Sequence, residues 1–241
     1  MEKLLNNKKR LAALNNLEKS LHYSFRDMTF LDNALTHHSF VNENLQLSIA
    51  DNERLEFLGD AVLSLSVSDL ISRKYPNLSE GALSKIRAAL VNEKTLAQIS
   101  RDLKIGEYLL LGHGEEKSGG RNKSSLLANT LEAVLAAIYL DSNFEKADNI
   151  VKILIEPFLK DEEFGYQYFD YKTILQEFCQ KVYKTIPFYS TIASSGPEHD
   201  ITFRIRLTIP GIMTQTGVGK NKKEAEKKAA QKAWEKLQVE K

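Results

Sequence analysis

Asp51-Asn52-Glu53-Arg54-Leu55-Glu56-Phe57-Leu58-Gly59-Asp60-Ala61-Val62-Leu63 puts charge where a core helix is expected to be apolar. At helical pitch Glu53, Glu56 and Asp60 follow at i, i+3 and i+7, so three carboxylates share one face while Leu55, Leu58 and Val62 line another. A generic acidic helix is more often a solvated face, with Glu53 and Arg54 in surface ion pairs. Here Phe57, Leu58, Val62, Leu63, Leu65 and Val67 make the helix apolar almost all round, which predicts burial. Buried like charges raise one another's pKa unless a cation compensates, and a hard divalent ion such as Mg²⁺ or Mn²⁺ suits oxygen donors.

A second apolar run, Leu126 to Ile138, is interrupted by Asn129 and Glu132 at i and i+3. Two buried helices, each with oxygen donors on one face, could meet to form a metal site.

These residues resemble ribonuclease III. Asn52-Glu53-Arg54-Leu55-Glu56-Phe57-Leu58-Gly59-Asp60 is similar to that family's signature nonapeptide in full. Further matches are Ala34-Leu35-Thr36-His37, Glu80-Gly81 with Leu83-Ser84 and Arg87-Ala88, Lys117-Ser118-Gly119-Gly120, and Glu132-Ala133. The resemblance implies an endoribonuclease of double-stranded RNA that uses Mg²⁺, with Mn²⁺ able to substitute. It implies a symmetric homodimer with Phe57 at part of the contact, and products with 5′-phosphate and 3′-hydroxyl ends and short 3′ overhangs. Processing of ribosomal RNA precursors and other structured transcripts is the implied work. Carried onto this chain, Glu56, Asp60, Asn129 and Glu132 are the metal-site residues. Asp60, Glu132 and Glu53 are the catalytic ones, with Glu53 and Glu80 in an extended acidic site. The family usually carries aspartate where Asn129 stands, and an amide keeps a carbonyl ligand but loses a charge. The alternative reading is a double-stranded-RNA-binding protein whose cleavage is weakened or lost through Asn129.

A chain of 241 residues suits one large or two modest domains, and its composition is that of an ordinary globular protein. One cysteine, Cys179, excludes an internal disulfide framework and suits a reducing compartment. No signal-like segment opens the chain and no apolar run is both long and charge-free enough for a bilayer, so the expectation is a cytoplasmic protein. The net charge of +1 hides an asymmetry. Residues 170–241 carry 13 Lys and Arg against 8 Asp and Glu, a net of +5, which leaves 20 against 24, a net of −4, for residues 1–169.

The first part predicts helix after helix: Leu11 to Ser20, Asp32 to His38, Arg54 to Tyr75, Gly81 to Val91, Glu93 to Leu103, Ser124 to Asp141 and Glu145 to Leu159. Thr36-His37-His38-Ser39 predicts polar contacts around the acidic site rather than a histidine metal site. The loop from Gly112 to Arg121 is either a flexible turn or a segment touching RNA backbone through Lys117 and Arg121. It is not a P-loop, because Glu116 takes the place of the glycine before Lys-Ser. An all-helical domain is thus expected over residues 1–160, a linker over 161–169, and an α+β domain over 170–241.

In that last part the period changes. A helix from Tyr171 to Tyr183 is followed by strands Phe188 to Ala193, Ile201 to Ile209 and Ile212 to Val218, then by a helix from Asn221 to Leu237 with Ala225, Ala229, Ala233 and Leu237 on one stripe. This α-β-β-β-α order, with Gly217-Val218-Gly219-Lys220-Asn221-Lys222-Lys223, resembles a double-stranded-RNA-binding domain. Asn221 is placed to cap the helix, whose exposed amides together with Lys220, Lys222 and Lys223 favour phosphate oxygens. The resemblance adds Gln176 and His199 as contacts to successive minor grooves.

Overall fold

The computed structural model of the protein describes residues 8–161, 169–197 and 201–239. The chain divides into two compact units: the residues up to Leu70 with Arg87–Pro157, and Ile71–Ile86 with those from Phe158 onward. The first part is helical, with α1 (Lys8–Leu21), α2 (Met28–Ala34), α3 (His38–Glu43), α4 (Glu53–Lys74), α5 (Glu80–Leu90), α6 (Glu93–Asp102), α7 (His113–Lys117), α8 (Ser124–Asp141) and α9 (Phe144–Lys160).

Helix α8 is the core. Leu127, Leu131, Val134, Leu135 and Ile138 are buried, and Ala128, Ala133, Ala136 and Ala137 let its neighbours approach closely. Helices α6 and α2 pack on it. Burial of each large aliphatic side chain stabilises the fold by roughly 1.5–3 kcal/mol.

The helix expected from Asp32 to His38 is two helices with a break between them. Asp27 starts the first early by accepting a hydrogen bond from the Thr29 amide, and the helix ends at Ala34. Leu35 and His37 then give their backbone groups to Leu110: Leu110 N–H donates to Leu35 O and His37 N–H to Leu110 O. Groups committed to another segment cannot continue a helical ladder. His37 caps α3 instead, its Nδ1 accepting from the Ser39 amide. Asn52, buried before α4, donates its side-chain amide to Ala34 O and its backbone amide to Thr36 O. Two of the quoted motifs therefore meet through Asn52.

At the far end of α8, Asp141 accepts from the Tyr23 hydroxyl at 2.6 Å and from the Asp27 amide at 2.8 Å, and the Arg26 amide also donates to it. This closes the α1–α2 connection onto the core helix.

The second unit contains α10 (Tyr171–Phe178), β1 (Phe188–Ser195), β2 (Thr202–Ile209), β3 (Met213–Gly219) and α11 (Lys222–Val239). The helix expected to reach Tyr183 is α-helical only to Phe178. Cys179–Tyr183 forms a π-helical turn that ends at Lys184 in the left-handed conformation. The strands form one antiparallel sheet in the order β1-β2-β3. Ile205, Leu207 and Ile209 are buried on one face, and Ala225, Ala229, Ala233 and Leu237 are buried on α11 as their spacing predicts. Gly217 makes the contact between β3 and α11 possible, since a Cβ there would lie 2.0 Å from the Ala225 carbonyl oxygen.

Candidate active site

The site exists because α4 and α8 touch at a residue with no side chain. A Cβ built on Gly59 would lie 1.8 Å from the Glu132 carbonyl oxygen, so only glycine allows this approach. On either side of the contact a cleft of about 590 Å³ opens, lined by Glu53, Glu56, Phe57 and Asp60 from α4 and by Asn129, Thr130 and Glu132 from α8. His37, His38, Asn52 and Leu126 complete it. Glu53, Glu56, Asp60, Asn129 and Glu132 thus line one cleft, where the resemblance implied they would meet. Glu80 is not among the cleft-lining residues; its carboxylate accepts from the Ser84 hydroxyl.

Electrostatically the cleft is strained by like charge. Burial, with Asp60 and Glu56 nearby, pushes the Glu132 carboxyl up to about 7. Burial also raises the Glu56 carboxyl; the Asn129 side chain opposes this by hydrogen-bonding to it, and Glu53 adds to the rise. His38 Nδ1 stands 3.4 Å from Glu53 Oε1 at the rim. Burial, with His38 next to it, lowers the His37 pKa, and the two rings lie 4.0 Å apart. Carboxylates and an amide carbonyl are the donors a hard divalent cation takes, and carboxyls held above their usual range gain by binding one. The donor set fits such an ion in chemistry. Among the described residues, no three His, Cys, Asp or Glu side chains yet stand close enough to hold it.

Helix α4 is not buried all round. Phe57 is 83% exposed and Leu65 57% exposed, and with Ala61 they follow at i, i+4 and i+8 along one open strip. The loop from Gly112 to Arg121 is built in rather than loose. It contains α7, and Arg121 donates to the carbonyls of Gly106 and Leu109, both at 2.9 Å, and to Glu116. Those bonds tie the Arg121 guanidinium to the protein itself, whereas Lys117 is exposed.

In the second unit Asn221 Oδ1 accepts from the Glu224 amide at 2.8 Å, which caps α11 as expected. Lys220, Lys222 and Lys223 are exposed around that helix start, and Gln176 is exposed on α10. Glu224 shares the same turn and accepts from the Lys220 amide. His199 lies outside the described residues.

The role of Gly59 was not evident from the sequence. The available signal was a glycine inside an otherwise apolar helix, which marks close backbone approach.

Residues 27–158 match the family described as ribonuclease-III-like. The chain belongs to the ribonuclease III family. Residues 171–237 match the double-stranded RNA binding motif. The chain is 43% identical over 228 residues to a Ribonuclease 3 of Geobacter sulfurreducens, covering 95% of this chain and 92% of that one. It is 46% identical over 227 residues to a Ribonuclease 3 of Syntrophobacter fumaroxidans, covering 92% and 93%. Among solved structures it is similar to the nuclease domain of ribonuclease III from Campylobacter jejuni, with TM-score 0.56 and 46% identity over 61% of this chain and 96% of that one. A second structure of that domain, described for flexibility in a region involved in dimer formation, gives TM-score 0.55 and 47% identity over 59% and 95%. This member of the ribonuclease III family is accordingly an endoribonuclease of double-stranded RNA.

Proposed function

We propose that the chain hydrolyses phosphodiester bonds of double-stranded RNA at the cleft between α4 and α8. The ion is Mg²⁺, for which Mn²⁺ can substitute, and the ends left are 5′-phosphate and 3′-hydroxyl. The observation that carries this is the contact at Gly59, which gathers Glu56, Asp60, Asn129 and Glu132 around one cleft. Those four residues would hold the ion. A bound divalent cation lowers the pKa of a water, offsets charge on the phosphoryl oxygens and supports the leaving oxygen.

The chain's own groups prepare that site. Glu132, its carboxyl pushed up to about 7, would hold the ion as a carboxylate, so such binding would tighten as pH rises toward neutrality. Asp60 lies one turn along α4 from Glu56, on the same face of the cleft. Glu53 at the rim, beside His38, acts in a secondary catalytic capacity.

Working boundaries are 1–160 for the nuclease and dimerisation domain, 161–169 for the linker and 170–241 for the RNA-binding domain. The strip of Phe57, Ala61 and Leu65 supports a homodimer, because apolar side chains this exposed on a core helix gain by pairing. Lys220, Lys222, Lys223, Gln176 and His199 grip the duplex. Precursors of ribosomal RNA and other structured transcripts in the cytoplasm are the substrates in this reading. No helix among the described residues is long and apolar enough to cross a membrane.

The test is to incubate purified protein with long duplex RNA and Mg²⁺, alongside Glu132→Gln. Short duplex products from the unaltered protein are expected. The variant should lose roughly a thousandfold in rate, the scale of removing charge stabilisation from a transition state, while still binding RNA. Cleavage by Glu132→Gln at the normal rate would move the chemistry away from this cleft.

A further inference from the structure

The sheet of the second unit has two faces, and among the described residues only one is covered, by α11. Tyr189, Thr191, Ile205, Leu207, Ile209, Gln215 and Gly217 belong to the face that packs on α11. The strand register places the other residues on an open grid. One row across the sheet is Ser190, Arg206 and Thr216; the next is Ala193, Arg204 and Val218; a third is Phe188, Thr208 and Thr214. Arg204 and Arg206 are exposed in the centre of this grid, and Phe188 at its corner is 61% exposed.

Three properties of the grid point the same way. The three strands hold no carboxylate, and neither arginine has an ion pair or side-chain hydrogen bond among the described residues. Two arginines whose Cα atoms stand roughly 6.8 Å apart along one strand therefore present positive charge with no acidic partner among the described residues, flanked by the hydroxyls of Ser190, Thr208 and Thr216. An aromatic ring stands on the same face, one register row from Arg206. The strand that carries Val218 leads, through only Gly219, Lys220 and Asn221, into the helix start that carries Lys222 and Lys223, so the edge of the grid lies close along the chain to that start although α11 itself packs on the other face.

We propose that this open face binds single-stranded RNA adjoining the duplex held at the start of α11. Arg204 and Arg206 would pair with successive phosphates while Phe188 takes a base on its ring. The single strand fits better than a second duplex because the base faces of a duplex are already stacked on one another. An exposed ring has no surface to meet there, whereas unstacked bases lie readily on aromatic and guanidinium planes. An acidic protein would satisfy the arginines but leave the ring and the hydroxyl row without a matching group. The inference rests on the duplex-binding reading of this domain only for where the strand comes from.

The test uses the full-length protein in chelator, so that no RNA is cut. Anisotropy is measured with three labelled RNAs: a blunt duplex, the same duplex with a single-stranded pyrimidine extension, and the extension strand alone. The extension should tighten binding about tenfold and steepen the log–log salt dependence by about 1.4, the single-strand value for two neutralised phosphates. Arg204→Gln with Arg206→Gln should abolish both gains and leave blunt-duplex affinity unchanged. Phe188→Ala should lose most of the affinity gain but keep the salt increment. Both changes are on exposed positions, and circular dichroism confirms the fold. Equal affinity for blunt and extended duplexes in the unaltered protein overturns the proposal, as does a parallel loss of blunt-duplex binding in the arginine variant. Binding of the single strand but not the blunt duplex supports this face and instead removes the duplex-binding reading.

Discussion

The Asn129 side chain hydrogen-bonds to the Glu56 carboxylate, joining α8 to α4 across the cleft. An amide N–H donor facing a carboxylate favours its charged form, and so opposes the rise that burial and Glu53 cause at Glu56. The position where the family resemblance implies an aspartate is therefore occupied by a group that relieves repulsion in the cleft.

Asn129→Asp replaces that hydrogen bond with a further like charge. The cation-free protein should become less stable, and the Mg²⁺ concentration for half-maximal cleavage should fall. Titrating Mg²⁺ against cleavage rate checks this. An unchanged midpoint would show that position 129 is not a ligand.

Gly59→Ala pushes a methyl group into the Glu132 backbone, and backbone cannot rotate away as a side-chain tip does. Overpacking of this kind costs about 1–3 kcal/mol, and the helices must separate to accommodate it. Thermal unfolding should move to lower temperature, and cleavage should drop even where the variant is fully folded. A folded variant with normal activity would mean that the spacing of α4 and α8 does not set the chemistry.

Asp141 predicts an acid-sensitive contribution to stability. Burial raises its carboxyl, but the Tyr23 hydroxyl and the Arg26 and Asp27 amides outweigh this and hold it below the usual aspartate range. Because the folded value lies below the unfolded one, the stabilisation is present above about pH 4, the unfolded value, and is lost as pH falls through the folded value. Asp141→Asn should cost roughly 2–3 kcal/mol at neutral pH, the scale of hydrogen bonds to a charged group. The gap between variant and parent should narrow in acid. Unfolding curves from pH 7 down to pH 3 measure it; a gap independent of pH would assign the loss to packing alone.

Phe57→Asp puts charge on the exposed strip of α4. With the proposed dimer contact there, sedimentation should give a dimer for the parent and a monomer for the variant, with secondary structure retained. A variant that keeps the parent's mass would place the dimer contact elsewhere.

Much of this architecture could be read from local pattern. The carboxylates at i, i+3 and i+7, the Asn129–Glu132 spacing and the alanine stripe of α11 all place side chains on faces, and the faces are where periodicity puts them. The break between α2 and α3 was not legible, because it depends on backbone bonds from Leu35 and His37 to Leu110, far along the chain. The same holds for Arg121. Its charge and glycine-rich setting suggest an RNA contact, but its guanidinium is bonded to Gly106 and Leu109 in the folded chain.

By itself the sequence determined which residues offer oxygen donors, that a helical part precedes one of three strands between helices, and that a basic module follows an acidic one, since these follow from residue chemistry and period. Only the tertiary structure decided that Gly59 sets the distance between the two acidic helices, that Asn129 is bonded to Glu56, and that Arg204, Arg206 and Phe188 share an open face. Each of these is a relation between positions that the chain brings together by folding. No local period encodes it, because packing and register, not neighbouring residues, fix which groups meet.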